Sequence, residues 1–144
     1  MASGCAVADE IRSDLADAYY VCVVDEEVLA TTPRWSNLES DPPLSLPNAI
    51  RIAAAKVEQV RKNDTAIDWQ LSSVRLERAN RGAWYYVSTF RSKLKPNPST
   101  VTRLNSYKSP RELHVPVLMN GRTPDMVEHR YSKELLKLLD DLKL

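Results

Sequence analysis

The amino-acid sequence predicts an α+β fold, in which one main helix packs across a bent antiparallel sheet of at least four strands. Three observations support this prediction. Residues 45–61 have the apolar spacing of a helix. Two pairs of strand-like segments follow, 69–78 with 83–91 and 113–119 with 122–128. Short turns that contain glycine join the members of each pair, so both pairs are predicted to be hairpins.

Length and composition indicate one domain. The chain has 144 residues, of which 43% are apolar and 27% are charged, and this is enough to bury a single core. We expect residues 1–8 to be disordered and residues 9–144 to form one α+β domain. Since no apolar run approaches the length of about 18 residues that a transmembrane helix needs, we expect no transmembrane segment.

Four segments precede the main helix. Residues 9–17 have a weak helical spacing, which predicts one or two helical turns. Residues 18–24 are rich in β-branched and aromatic side chains, and this composition favours a strand. We expect residues 26–32 to return as the hairpin partner of that strand, and residues 33–44 to form a loop.

The main helix has clear signals at its start and along one face. Ser45 is a suitable N-cap, and Pro47 falls in the first turn, where the missing N–H costs little. Apolar residues recur at spacings of three and four, which predicts a buried face. These residues are Leu46, Ala49, Ile50, Ala53, Val57 and Val60.

The second hairpin can be predicted residue by residue. Asn120 and Gly121 tolerate the positive φ of a type I′ turn. A two-residue loop there places His114 opposite Val127, with His129 on the same, solvent-facing side. The residues then predicted to face the core are Leu113, Val115, Val117, Met119 and Met126.

The sequence has no motif for catalysis or cofactor binding. It lacks a glycine-rich phosphate loop, a Gly-x-Ser-x-Gly turn, a His-Glu-x-x-His helix and a Cys-x-x-Cys pair. Its two histidines, on one strand face beside a carboxylate, are too few for a metal site, which needs three or four ligands. We therefore expect no enzymatic activity, no metal and no cofactor.

The chain ends in a predicted amphipathic helix that begins after Ser132, a suitable N-cap. Its five leucines should be buried, because an exposed row of this size would reduce solubility. They are Leu135, Leu136, Leu138, Leu139 and Leu142. We expect them to pack on their own domain, and we favour a monomer over a homodimer joined through residues 132–144.

Charge is unevenly distributed. Residues 1–50 carry nine acidic and two basic side chains, whereas residues 70–115 carry nine basic and two acidic ones. Residues 91–111 are predicted to form a long basic loop. Beside exposed aromatic side chains, such a loop would bind an anionic surface or single-stranded nucleic acid. The candidate binding face comprises Arg75, Arg78, Trp84, Tyr86, Lys93, Lys95 and Arg103.

The two cysteines do not form a disulfide framework. Cys22 lies within an apolar run and is predicted to be a small buried side chain. Cys5 follows the small residues Ala2, Ser3 and Gly4, as does the lipidated cysteine of bacterial lipoproteins, so Cys5 is a candidate lipidation site.

Several segments between residues 40 and 128 together resemble PepSY-like bacterial envelope proteins. These segments are Pro42–Ala53, Trp69–Leu71, Val74–Leu76, Trp84–Val87 and Val115–Gly121. The resemblance implies a cystatin-like arrangement of one helix on a bent sheet. It also implies a non-catalytic binding or interaction module of the bacterial cell envelope, with a protein or peptide partner. The Gln-x-Val-x-Gly inhibitory loop of cystatins is absent. The alternative function is that of an anion or nucleic-acid binder that uses loop 91–111.

Overall fold

The computed structural model describes residues 9–79, 82–95 and 111–142, and within these ranges it is an α+β protein. Its six strands form two antiparallel sheets with the orders β1-β2-β6 and β3-β4-β5. The elements in chain order are β1 (Asp9–Asp14), β2 (Ala18–Val24), α1 (Glu26–Ala30), α2 (Leu46–Val60), β3 (Ile67–Arg78), β4 (Trp84–Leu94), β5 (Glu112–Leu118), β6 (Met126–Arg130) and α3 (Lys133–Asp141). The six strands therefore do not form the single sheet of four or more strands that the sequence predicted.

The helix predicted within residues 9–17 is wrong, because this segment is strand β1 and pairs antiparallel with β2. Ile11, Ser13 and Leu15 point to the interior in alternation, and Ser13 and Leu15 are buried. Apolar residues four positions apart, such as Ile11 and Leu15, fit a period of two as well as a period of 3.6. Pairing with β2 selects the strand.

The prediction of a hairpin strand at residues 26–32 is also wrong, because helix α1 begins directly after β2. Asp25 caps this helix, and its Oδ1 accepts a hydrogen bond from the Val28 N–H at 2.8 Å. Glu26 and Glu27 occupy the first turn, where the helix dipole favours negative charge. Residues 33–44 form no helix or strand, as predicted.

Helix α2 confirms the prediction for residues 45–61. Ser45 Oγ accepts a hydrogen bond from the Asn48 N–H at 3.4 Å, and the helix ends at Val60. Ala49, Ala53 and Val57 form its buried stripe. Two of these three residues are alanines, which allows the helix axis to approach the sheet closely. Ile50 and Val60 are half-buried, and Leu46, which was predicted to lie on the buried face, is 46% exposed.

The first predicted hairpin is also confirmed, and its strands are longer than expected. β3 pairs with β4 from Ile67↔Leu94 to Arg78↔Trp84, with a bulge between Leu71 and Ser73. Gly82 follows the turn with a φ of +76°, a conformation that glycine adopts without steric cost.

The second predicted hairpin turns at the predicted residues, but its loop and its strands differ from the prediction. The Leu118 N–H donates to the Arg122 carbonyl at 2.8 Å, so Met119, Asn120 and Gly121 form a three-residue loop in place of the predicted two-residue one. Gly121 has a φ of +83°, and its N–H donates to the Leu118 carbonyl at 2.9 Å. After the turn, however, β6 leaves β5 and pairs with β2 in the other sheet. Pro124 lacks an N–H, so it cannot donate in a β5–β6 ladder.

This change of partner separates the two histidines. His114 lies opposite Thr89 on β4, and His129 lies opposite Tyr19 on β2. The predicted pairing of His114 with Val127 is therefore wrong. The core-facing prediction for β5 is confirmed, because the side chains concerned are at most 2% exposed; they are Leu113, Val115, Val117 and Met119.

Strand β4 separates two clusters of buried side chains. Tyr86 and Phe90 point towards α2 in the larger cluster, which also includes Tyr20 of the other sheet. Tyr85 and Val87 point the opposite way, into a cluster that includes α1. The aromatic residues on both sides of β4 are thus explained by burial of both of its faces.

Helix α3 begins after Ser132, as predicted, and Ser132 Oγ accepts a hydrogen bond from the Leu135 N–H at 3.1 Å. Three leucines of its apolar face are left uncovered by the described part of the chain. Leu135, Leu138 and Leu142 are 42%, 59% and 72% exposed. The expectation that these three leucines pack on their own domain is therefore wrong.

The buried hydroxyl of Ser88 generates a stability prediction. Ser88 is 0% exposed, and its Oγ has no hydrogen-bond partner among the described residues. Ser88→Ala should leave the free energy of unfolding unchanged or raise it by about 0.5–1 kcal/mol, because an unpaired polar group is removed from the interior. Urea unfolding followed by tryptophan fluorescence measures this.

Ser92→Ala is the matched control on the same strand. Ser92 Oγ accepts a hydrogen bond from the Arg111 N–H at 2.9 Å. Its removal should lower the free energy of unfolding by about 1 kcal/mol. Equal losses in the two variants would contradict this account of Ser88.

A second prediction concerns α3. Since Leu135, Leu138 and Leu142 are exposed, a chain that ends at Tyr131 should melt within about 2 °C of the full chain and keep the same oligomeric state. Calorimetry and light scattering test both points. A large drop in melting temperature would show that α3 stabilises the domain after all.

Candidate functional site

An open groove of about 680 Å³ lies between α1, the outward face of β2 and β6, and the loop that joins β5 to β6. Its lining comes from two separate parts of the chain, within residues 21–31 and within residues 118–129. Concave surfaces of this size are the usual location of ligand sites.

The floor of the groove is apolar. Val21 and Val127 are cross-strand partners, and Val23 follows on the same face of β2 because side chains alternate along a strand. Val28 of α1 and Leu118 at the end of β5 complete the floor. Val23 is 42% exposed and Val127 is 51% exposed, so an apolar surface faces solvent here.

The rim of the groove carries charges of both signs. Glu27 and Asp125 supply carboxylates, Arg122 supplies a guanidinium, and His129 supplies an imidazole. The His129 ring stacks on Tyr19, with the ring centroids 4.7 Å apart and the planes 10° from parallel. An apolar floor with such a rim suits an apolar segment that has polar neighbours.

Local contacts fix the loop at one side of the groove. Asn120 Oδ1 accepts a hydrogen bond from the Arg122 N–H at 3.0 Å. The buried Cys22 thiol lies 3.6 Å from the Pro124 carbonyl oxygen and donates to it. Burial raises the pKa of Cys22 to about 12, so the thiol stays protonated at neutral pH and remains a donor. The prediction that Cys22 is a small buried side chain is confirmed.

A second cavity, of about 700 Å³, lies between α2 and the start of β3. The Trp69 indole N–H at this cavity is buried and has no acceptor among the described residues. The charged lining is mixed, and Arg61 is already paired with Asp64 and Asp17. No single ligand chemistry follows from this lining.

His114 lies in a polar cluster that connects the two sheets. Its Nδ1 is 2.8 Å from Thr89 Oγ1, and its Nε2 is 3.9 Å from a carboxylate oxygen of Glu112. Its main-chain N–H donates to Ser13 Oγ of β1 at 2.9 Å. A hydroxyl, an imidazole and a carboxylate in a row resemble a nucleophile with its base, but Thr89 is only 4% exposed. The hydroxyl is therefore nearly closed off from solvent, and the cluster links β1 to β4 and β5.

The described members of the predicted basic and aromatic binding face do not lie on one surface. Arg78 lies over Trp84, with its guanidinium carbon 5.9 Å from the ring centroid. Arg75, three residues earlier on β3, points to the opposite side of the sheet. Tyr86 is 3% exposed, and its hydroxyl donates to the Leu44 carbonyl at 2.8 Å. Tyr86 therefore belongs to the core.

The remaining members of that face lie elsewhere. Lys93 is exposed near the end of β4, opposite Asp68, and Lys95 is exposed just beyond that strand. Arg103, most of the basic loop and Cys5 lie outside the described residues. No surface of the described residues therefore unites the candidate anion-binding side chains.

Two further structural features are absent from the described ranges. No helix in them is both long and apolar enough to cross a membrane. No group of three or more histidine, cysteine, aspartate or glutamate side chains there is placed to hold a metal ion.

Comparison with known proteins adds no relative. The chain matches no protein-family model, no curated protein and no solved structure.

Sequence reasoning did not predict the groove, although one signal was present. Both faces of β2 are apolar, since Tyr19, Val21 and Val23 alternate with Tyr20 and Cys22. A strand with two apolar faces needs other parts of the protein to pack against each face. Where one of the faces is not packed in this way, it is available to a ligand.

The environment of His114 predicts a dependence of stability on pH. Burial lowers the pKa of His114, the Glu112 carboxylate opposes this, and Arg75 adds to it. The unfolded chain therefore binds the proton more readily than the native protein. Neutral His114 makes its full contribution to the free energy of unfolding above the pKa of about 6.5 that histidine has in the unfolded chain. This contribution is lost as the pH falls below that value.

The comparison of wild type with His114→Gln measures this contribution. The difference between their free energies of unfolding should shrink between about pH 7.5 and about pH 5. His129→Gln, at the exposed histidine, is the control for a histidine replaced elsewhere. A difference that stays constant over this range would contradict the prediction.

Proposed function

We propose that this chain is a non-catalytic binding module of the bacterial cell envelope, which holds an apolar segment of a protein or peptide partner in the groove between α1, β2 and β6. The observation that carries the proposal is the uncovered valine floor, with Val23 and Val127 42% and 51% exposed. In a folded domain, apolar side chains at the bottom of a concave surface usually mark a contact site.

The energetics favour a partner with one or two apolar side chains. Covering apolar surface contributes about 25 cal/mol per Å², so a single aliphatic or aromatic side chain against Val23 and Val127 gives modest affinity. The carboxylates of Glu27 and Asp125 and the basic groups of Arg122 and His129 then select the polar neighbours of that side chain. Such a surface supports recognition of a partner.

The assignment to the cell envelope is supported by the sequence. The PepSY-like and cystatin-like resemblance over residues 40–128 is typical of proteins that bind partners outside the cytoplasm. The residues before Cys5 resemble those at a lipidation site. These two features of the sequence support the part of the proposal that places the protein in the cell envelope.

A peptide selection tests the groove. Random peptides displayed on phage and selected on the wild-type protein should share an apolar residue flanked by charge. Val127→Asp should weaken their binding by at least about tenfold, because the new carboxylate must be desolvated against the bound side chain.

Leu38→Asp is the matched control, since Leu38 is 61% exposed and does not line the groove. Circular dichroism establishes that both variants are folded. Selected peptides that bind wild type and Val127→Asp equally well would refute the groove as the binding site.

The location is tested separately. Fractionation of the native cells, with wild type and a Cys5→Ser variant, should place the wild type in the envelope and release the variant from the membrane. Recovery of the wild type in the cytoplasm would refute the location and leave the groove untouched.

A further inference from the structure

We propose that two copies of this chain pair through the outer edge of β3, as antiparallel strands with Leu76 on the two-fold axis. The interaction joins the two β3-β4-β5 sheets into one continuous sheet across the pair. The proposal concerns β3, which contributes no residue to the groove lining, and it does not depend on what the groove binds.

The edge of β3 is long and open. β3 has 12 residues and lies at the end of its sheet, with β4 as its one strand partner in the described structure. Long edge strands readily accept a further strand, and natural proteins usually shorten or cover them. Leu76 is 39% exposed on this edge, which leaves apolar surface beside unpaired main-chain groups.

The hydrogen bonding to β4 determines which residues can accept a partner. The Ala79 N–H donates to the Ala83 carbonyl at 2.7 Å. In an antiparallel ladder the bonded positions alternate, so Glu77 and Arg75 direct their main-chain groups to β4. Val74, Leu76 and Arg78 direct theirs to the open edge. A second strand must pair with these three residues.

The sequence of this segment is complementary to itself in one register. With Leu76 opposite Leu76 of the second copy, Arg75 lies directly opposite Glu77 of the other strand, and the same pair recurs across the axis. Opposite charges at directly facing positions stabilise antiparallel strands. Arg75 Nε is already 2.5 Å from Glu77 Oε1 within one chain, and both side chains are exposed. The pairing thus gathers four charges of alternating sign.

The neighbouring registers are disfavoured by the same charges. A shift in one direction places Arg75 opposite Arg75, and a shift in the other places Glu77 opposite Glu77. Like charges at directly opposite positions are destabilising. The bulge between Leu71 and Ser73 limits the paired segment to Val74–Arg78, since a bulge disrupts the ladder. This self-complementarity is why we assign the edge to a second copy.

Sedimentation equilibrium over a range of concentrations tests the pairing. The wild type should approach twice its mass of 16.3 kDa as the concentration rises. Arg75→Glu places two carboxylates opposite each other on each side of the axis, and should raise the dissociation constant at least about tenfold. The double variant Arg75→Glu with Glu77→Arg restores opposite charges and should recover the wild-type constant, which separates the effect from a folding defect.

Cross-linking tests the register. In a Cys5→Ser background, Leu76→Cys should form an intermolecular disulfide under mild oxidation, because facing residues have Cα atoms about 5.5 Å apart. Gln70→Cys is the control, since the proposed register places its two copies far apart. Any of three results would overturn the proposal. These are a wild type that stays monomeric, a dissociation constant that Arg75→Glu leaves unchanged, and equal cross-linking at positions 76 and 70.

Discussion

The burial of both faces of β4 is the constraint on which the other elements depend. Tyr86 and Phe90 on one face require α2 as a cover, and Tyr85 and Val87 on the other face require the cluster that includes Leu29 of α1. Burial of both faces of β4 therefore requires packing elements on both sides of its sheet. The N-terminal strands therefore cannot form an independent unit. They must lie beside the β3-β4-β5 sheet, and Ser13 joins them to it through the main chain of His114.

Elements with a complete local signal could be predicted from the sequence. Helix α2 has a cap at Ser45 and a stripe of spacing three and four, and the β3–β4 hairpin has strong alternation on both sides of a short turn. Strand β1 and helix α1 could not be predicted in this way. The spacing of Ile11 and Leu15 fits two periods, and the segment after Asp25 is too short for periodicity to decide between strand and helix.

The candidate site was less predictable than the fold, for a related reason. The turn at Asn120-Gly121 is a local feature, and it is present. The pairing partner of the strand that follows, β6, is determined by long-range contacts. It pairs with β2, where Tyr19 contacts His129 and Val21 lies opposite Val127. The groove exists only because of that pairing, so its lining could not be assembled from any one stretch of sequence. The sequence pointed instead to basic and aromatic residues that are close together along the chain. Because side chains alternate along a strand, β3 and β4 place these residues on two different sides of the sheet.

The pairing of β2 with β6 also sets the order of events during synthesis on the ribosome. The register joins Cys22 to Met126 and Tyr19 to His129, so the two strands are separated by almost the whole domain. As the chain emerges from the ribosome, β1 and β2 are made before the other described strands, but one edge of β2 has no partner until Met126–Arg130 has been made. Throughout that interval the nascent chain exposes an apolar strand, Ala18–Val24, to the cell. Contacts of such high sequence separation slow folding and prolong exposure to aggregation. Strand β6, the last of the six described strands to be made, therefore completes the sheet that contains β1 and β2.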